Sequence, residues 1–407
     1  MTLVAASAGA ATDSDGDGMV DEWEVYYFGS TNAPGAGASQ DYDLDGVSNI
    51  GEYRAGTSPT NRQSRLAFNL VEWVVPSKLR MQWPVATGRV YNVETIPAPG
   101  AAFTGLAMNL PATPPQNLYT AAVGTARHAF YRVRVRPMFV GAANTVPGGS
   151  GLNYKQSWDL LDTAVGPLGC RRSYSSGLVT NFLSTVAAID AGKRASVFSF
   201  KTDWAMMALG QHSNDVWNLV QSIPAGHLAY LCWFHEPEND GSAAAFVPAF
   251  QQFSRAVRAA NRPNVKVTLI LMTWTWNPAS GRNPADWWPG AEYVDAVGLD
   301  GYNPYDPAVA NSKWKTFSTI FETAVDWMRG RGVKEVGVAE FGCKERTGDV
   351  NAKANWLLDA AGWADAQRLS FVCYFDSDVG DSAGAGWWLR TSTNATQTFR
   401  EIAASHR

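Results

Sequence analysis

SKWKTFSTIFETAVDWMRG (312–330) and EVGVAEFG (335–342) lie close together and read as a helix feeding a strand. In the first stretch, Trp314, Phe317, Phe321, Ala324, Val325 and Met328 recur at three and four residues, the spacing of one buried helix face. Ser312 is the expected N-cap, and Gly330 and Gly332 are the expected stop. In the second stretch an apolar run leads into Glu340. The same unit repeats outward from here. Short apolar runs fall at 139–142, 169–173, 195–200, 228–234, 265–272, 294–299, 335–339 and 369–375, with helical patterns between them. Near-continuous apolar strands separated by helices predict a parallel sheet covered on both faces. Eight of them between 139 and 407 predict an α/β fold of the (β/α)8 barrel type, for which ~250 residues are typical. An open doubly wound sheet is the competing architecture. No GxGxxG follows the first strand, so its nucleotide-binding form has no support.

Upstream, the texture differs. KLRMQW (78–83), RVYNVET (89–95) and HAFYRVRVR (128–136) alternate apolar and polar residues between Gly and Pro clusters. Period-two alternation predicts a small antiparallel β domain, sandwich-like, over 63–138. It shows no obvious aromatic platform and is expected to be a spacer.

Residues 1–62 are rich in Asp, Gly, Ser and Ala and hold two 12-residue loops. DSDGDGMVDEWE offers Asp13, Asp15, Asp17, Asp21 and Glu24, with Gly18 at the turn. DYDLDGVSNIGE offers Asp41, Asp43, Asp45, Asn49 and Glu52, with Gly46 at the turn. Both fit the calcium-loop spacing, which wraps six or more oxygens around one hard cation. The backbone carbonyls of Met19 and Val47 would complete the sets. Calcium is expected to order this segment and to take no part in catalysis.

Composition excludes several classes. The net charge is −4, from 33 Lys+Arg against 37 Asp+Glu, so no basic field points to nucleic acid. The four cysteines form no CxxC pair and the five His are scattered, which argues against a zinc site. Disulfides are open from sequence alone. No apolar run approaches the ~18 residues of a membrane span. The opening MTLVAASAGAATD lacks the charged and apolar regions of an intact signal peptide. A secreted or cell-surface protein is expected on the calcium loops and the carbohydrate-type site below. Fourteen of the 17 Trp lie after Val146, which suits both a large aromatic core and a cleft that stacks on sugar rings.

In a barrel, residues at the C-terminal strand ends read as catalytic. LAYLCWFHEPEN (228–239) ends the fourth strand with His235 and Glu236, and Glu340 ends the seventh. Two carboxyl groups across one mouth suit glycoside hydrolysis, where one protonates the leaving oxygen and the other attacks the sugar or activates water. Glu238 competes with Glu236 for the acid role, and Glu340 could instead be a structural carboxylate paired with Arg172. A core hydrogen-bonding role is the lesser alternative for His235, and a purely structural role competes evenly for Tyr302. Trp274 and Trp276, in LMTWTWNP, share one side of an extended strand and serve either the core or a sugar ring. Asp300, Asp376 and Asp378 are spare partners for hydroxyls.

The order HE at strand four, WPGAEYVDAVGLDGYN (288–303) at strand six and AEFG at strand seven resembles glycoside hydrolase family 26, over roughly 139–405. The resemblance implies a retaining enzyme acting on a β-linked polysaccharide, chiefly β-1,4-mannan, with β-1,3-xylan or mixed-linkage β-glucan as alternatives. It implies Glu236 as acid/base, Glu340 as nucleophile, His235 as support for Glu236 and Tyr302 as a partner of the nucleophile. Family mannanases usually carry a His after strand three, where this chain offers Lys201. They often end strand eight in Trp, where this chain offers Tyr374 and Phe375. The N-terminal loops, with the tail EYRAGTSPTN, resemble thrombospondin type 3-like calcium repeats. Dockerins share that spacing, so a cohesin-type partner is a further expectation. A non-catalytic carbohydrate-binding surface protein is the reading from another class; the presence of both glutamates argues against it.

Overall fold

The computed structural model describes residues 14–15, 17–75, 77–86, 89–101, 103–123, 129–136, 138–146, 150–191, 193–377 and 386–406. The chain divides into two compact units, one essentially Ala11–Pro137 and the other essentially Met138–Arg407.

The first unit opens with helices α1 (Asp21–Phe28) and α2 (Asn49–Ala55). Each starts at the ninth position of an acidic loop. Gly29 and Gly56 close them in the left-handed region, at φ 81° and 75°, where a Cβ is costly. Six strands follow: β1 (Leu70–Val75), β2 (Lys78–Pro84), β3 (Val90–Ile96), β4 (Thr104–Pro111), β5 (Gln116–Ala122) and β6 (Phe130–Val135). They form two antiparallel three-stranded sheets, β1-β2-β5 and β4-β3-β6. Alternate residues of both sheets, among them Leu79, Met81, Trp83, Tyr91, Val93 and Val133, meet in one core, as period two requires. Sequence alternation marked β2, β3 and β6. It missed β1, β4 and β5, whose runs are apolar without alternation or interrupted by Gly and Asn. Trp73, on edge strand β1, is 63% exposed, an outward aromatic that the alternation did not single out.

The second unit is a closed barrel of eight parallel strands. These are β7 (Phe139–Asn144), β8 (Cys170–Ser175), β9 (Ala195–Phe200), β10 (Ala229–Trp233), β11 (Val265–Met272), β12 (Ala296–Tyr302), β13 (Glu335–Gly342) and β14 (Phe371–Asp376). β14 pairs back onto β7 over six residues, Phe371↔Phe139 to Asp376↔Asn144. The closed sheet rules out the doubly wound alternative. Helices α3 (Tyr154–Val165), α4 (Trp204–Ala208), α5 (Ser213–Ser222), α6 (Ala243–Ala259), α7 (Phe317–Gly330), α8 (Ala352–Ala366) and α9 (Thr393–Ser405) surround it. Strand residues alternate between two cores. Tyr230, Cys232, Ile270, Ala296 and Phe371 fill the interior. Leu231, Trp233, Leu269, Leu271 and Leu299 face the helices. Gly298 and Gly337 keep the interior open, since a Cβ there would come within 2.8 Å of Ala339 and 2.7 Å of the Phe371 ring.

α7 carries the expected apolar face but starts at Phe317, with Thr316 and not Ser312 as its N-cap. Asn303 holds the 312–316 stretch as loop by donating to the Lys315 carbonyl and accepting from its amide. The four cysteines are free and buried; Cys170 and Cys373 sulfurs stand 3.5 Å apart in the interior. Among the described residues no helix is long and apolar enough to cross a membrane.

Candidate active site

The barrel's strand ends bring the expected glutamates together. On β13, Glu340 is 6% exposed and held on three sides. Its Oε1 accepts from the Tyr174 hydroxyl at 2.7 Å and from Arg172 at 3.3 Å, and its Oε2 accepts from the Tyr302 hydroxyl at 2.6 Å. Arg172 is fully buried and also donates to Ser199 Oγ at 2.8 Å. Burial opposes its charge, but Tyr174, Glu340 and Asp300 outweigh that and hold it above its usual pKa. Burial, and then the Glu340 charge, push the hydroxyl pKa of Tyr174 and Tyr302 well above 10. Both phenols therefore remain donors. Three donors on one carboxylate fix its orientation. The Arg172 pairing is real, and it belongs to the site.

Glu236 follows β10 in a left-handed turn. Phe234 and Glu236 have φ of 60° and 50°. Non-glycine residues there cost about 1–3 kcal/mol each and persist where surrounding structure holds them. The Glu236 amide donates to the Ile270 carbonyl at 3.1 Å, which fixes the turn. Burial, then the charges of Glu340 and Glu238, raise the Glu236 pKa to about 7. Oxygens of Glu236, Asp300 and Glu340 all lie within 4.8 Å of one another.

Register explains the third carboxyl. Asp300 on β12 stands beside Glu340 on β13, and Tyr302 beside Gly342. The register shifts by one residue between Leu299 and Asp300, a bulge that re-aims side chains at a barrel rim. Asp300 is 2% exposed, and neither of its carboxyl oxygens has a hydrogen-bond partner. Burial, then Glu340 and Glu236, raise its pKa well above the usual carboxyl range.

Other expected residues take different places. Glu238 turns away from the mouth: its Oε1 accepts from the Met272 amide at 2.9 Å and the Thr275 hydroxyl at 2.8 Å. His235 directs Nδ1 to Ser199 Oγ at 2.9 Å, and burial, then Arg172 and Lys201, push its pKa well below 6.5. It is a neutral ring that braces the β9–β10 side. Lys201 pairs with Asp240 at 2.9 Å, its ammonium 4.5 Å from the Phe234 ring centroid. Trp274 and Trp276 sit in a 3-10 turn, Thr273–Trp276, because β11 ends at Met272. They still line one cavity of about 420 Å³ together with Glu236, Asp300 and Tyr302. Trp276 also packs edge-on against Trp327, centroids 5.6 Å apart. Phe375 meets the Tyr302 ring edge-on at 5.7 Å. Asp376 is structural, accepting from Asn144 and from the Leu389 amide; Asp378 lies outside the described residues.

Sequence reading missed Tyr174 and Trp387. Tyr174 lies two residues from Arg172, on the same side of β8, a spacing that could have shown it. Trp387 arrives from the loop after β14: its amide donates to the Ser377 carbonyl at 2.6 Å and its ring lies 4.8 Å from that of Tyr302. An aromatic thus does stand at the eighth strand end, delivered from ten residues downstream.

The acidic loops form two further clusters. Oxygens of Asp15, Asp17 and Glu24 lie within 4.8 Å of one another, and so do those of Asp41, Asp43 and Asp45. Gly18 and Gly46 have φ of 91° and 95°, which the turn needs and L side chains avoid. Both carboxyl oxygens of Glu52 are sealed from solvent, facing Asp43, Asp45 and Asp41. Asp21 accepts from the Ser14 amide and hydroxyl. Asn49, expected as a ligand, donates to the carbonyls of Gly35 and Gly37 and accepts from the Tyr42 amide, so it ties the second loop to the segment before it. Met19 and Val47 stand at the seventh loop positions; Asp13 lies outside the described residues.

Residues 258–342, from the end of α6 through β13, match the model of Glycosyl hydrolase family 26. Endoglucanase H of Acetivibrio thermocellus is 28% identical over 162 residues, 38% of this chain and 16% of that protein. The chain thus matches about a sixth of that relative's length. A ruminal GH26 endo-beta-1,4-mannanase structure aligns over 84% of this chain and 90% of its own, at 11% identity and TM-score 0.42. A Ruminococcus gnavus beta-glucuronidase aligns over 83% and 67%, at 10% identity and TM-score 0.45. The segment that matches the family 26 model carries Asp300, Tyr302 and Glu340 within the closed parallel barrel of the second unit.

Proposed function

We propose that the barrel is a retaining, endo-acting glycoside hydrolase that cleaves a β-linked polysaccharide, β-1,4-mannan first. The separation of the two glutamates carries this reading. Their oxygens approach within 4.8 Å, whereas an inverting pair needs about 6.5–9.5 Å to admit a water. Glu340, oriented by Arg172, Tyr174 and Tyr302, attacks the anomeric carbon. Glu236, with a pKa of about 7, protonates the leaving oxygen. Formation of the glycosyl ester removes the Glu340 charge, which lowers the Glu236 pKa. Glu236 then takes a proton from water, and the ester is hydrolysed with net retention. Trp387, stacked beside Tyr302, offers a face to a sugar ring.

The match to a segment of a protein named an endoglucanase favours β-glucan as the second substrate. Reducing-sugar release from mannan, mixed-linkage glucan, β-1,3-xylan and β-1,4-xylan, by wild type and Glu340→Gln, tests the proposal. Release by wild type alone names the backbone. Equal release by both proteins removes Glu340 from its role.

The acidic loops are read as calcium sites. Asp15, Asp17, Asp21 and Glu24 would hold one ion, and Asp41, Asp43, Asp45 and Glu52 the other, with the carbonyls of Met19 and Val47. A sealed carboxylate facing three others fits a hard dication. The ions would order the first unit and take no part in the chemistry. Both readings suit a secreted or cell-surface protein.

A further inference from the structure

The cavity beside the catalytic pair is larger than bond cleavage needs. Its volume of about 420 Å³ falls within the ~300–1,000 Å³ of small-molecule sites. Glu236, Asp300, Trp274 and Trp276 line it together with Thr319 and Thr323 of α7. Glu340, Tyr174, His235 and Trp387 do not line it. The space therefore lies on the β11–β12 side of the catalytic pair. Because α7 bounds it, a short branch suits it better than a continuing backbone.

We propose that this cavity receives one neutral sugar ring carried as a branch on the polysaccharide, a reading that rests on the hydrolase function above. Three observations support it. Trp274 is 48% exposed at a cavity wall, an apolar face that solvent would otherwise wet. Asp300 presents two unpartnered oxygens from a site 2% exposed, and a buried polar group of this kind calls for a hydrogen-bonding ligand. Burial and the Glu340 and Glu236 charges raise its pKa, which favours the carboxyl form that donates to one hydroxyl and accepts from another. Thr319 and Thr323 line the same cavity, so it offers both hydroxyl and indole groups to a pyranose. A carboxyl whose pKa is raised by neighbouring negative charge marks a site that opposes a further anion, so a uronic acid is disfavoured.

The test fills the cavity from its exposed rim. Thr319 and Thr323 both lie on the solvent side of α7, so Thr319→Trp and Thr323→Trp occupy the space without opening the core. Each is compared with wild type on linear mannan and galactosyl-branched mannan, and on linear glucan and xylosyl-branched glucan. The expected result is an unchanged rate on the linear chain and at least a tenfold loss on the branched one. Equal loss on both chains would place a backbone ring in the cavity and overturn the proposal. No loss on either would leave the cavity without a sugar and overturn it too. Saturation-transfer NMR with free galactose, glucose and xylose separates this outcome from failure of the hydrolase reading. A wild type that cleaves nothing yet binds a free sugar that Thr323→Trp does not would sink the hydrolase and keep the sugar pocket. Absence of binding and cleavage alike would sink both.

Discussion

Glu340 is buried and Glu236 half-buried, and their surroundings suit them to opposite tasks. Three donors converge on Glu340, while Glu236 sits among negative charges and holds its proton to about pH 7. Replacing Tyr302 by Phe removes one donor from a charged acceptor, an interaction of about 1.5–3 kcal/mol. The expected effect is a ~10–100-fold fall in kcat with little change in KM, read from initial rates. The acid role fixes the sign of the pH dependence. Glu236 must be protonated to act, and its folded pKa lies above the ordinary 4.5. Activity should hold below pH 7 and fall about tenfold per unit above it. Glu236→Gln should remove that limb and cost about 10²–10⁴-fold on substrates with poor leaving groups. A limb that persists in this variant would assign it to another group. Both glutamates were legible because strand ends are marked by apolar runs. The cradle was only partly so: Arg172 lay on the page as a partner, and the one sign of Tyr174 was its two-residue spacing from Arg172 on β8.

Strand register, rather than any single residue, sets the site. Asp300 and Glu340 become neighbours through the β12–β13 pairing and its one-residue shift, which no apolar pattern encodes. All eight barrel strands were visible because each is buried on both faces. Helix α7 was visible by its face but not by its start, since the Asn303 bonds that hold 312–316 as loop span distant positions. Trp387 escaped notice because loops lack period. In the acidic loops the turn geometry is the sensitive element. Gly46 has φ 95° with open space where a Cβ would lie, so Gly46→Ala meets conformational cost alone, about 1–2 kcal/mol. Thermal unfolding followed in the first unit should shift down accordingly, with the barrel's transition unmoved. Asn49→Ala should have a larger effect than its small size suggests, because three bonds to backbone, two to the 35–37 segment and one within its own loop, go with it.

At the scale of the whole molecule, the chain joins a unit of two acidic loops and two small antiparallel sheets to an eight-stranded parallel barrel. If the loops bind calcium, saturating ion at 100 times Kd adds about 2.7 kcal/mol to the unit that binds it. In calorimetry, chelator should lower and added calcium raise the first unit's transition, with the hydrolysis rate unchanged; loss of activity on chelation would assign calcium a part in the barrel's chemistry. The central claim is that Glu340 is a nucleophile that bonds to the sugar. The most direct measurement is trapping with a 2-deoxy-2-fluoro β-glycoside bearing an activated leaving group, followed by peptide mass spectrometry. The account predicts a glycosyl adduct on the peptide that contains Glu340, absent from Glu340→Gln. An adduct on Glu236 or Asp300, or a first-formed product of inverted anomeric configuration, would contradict it.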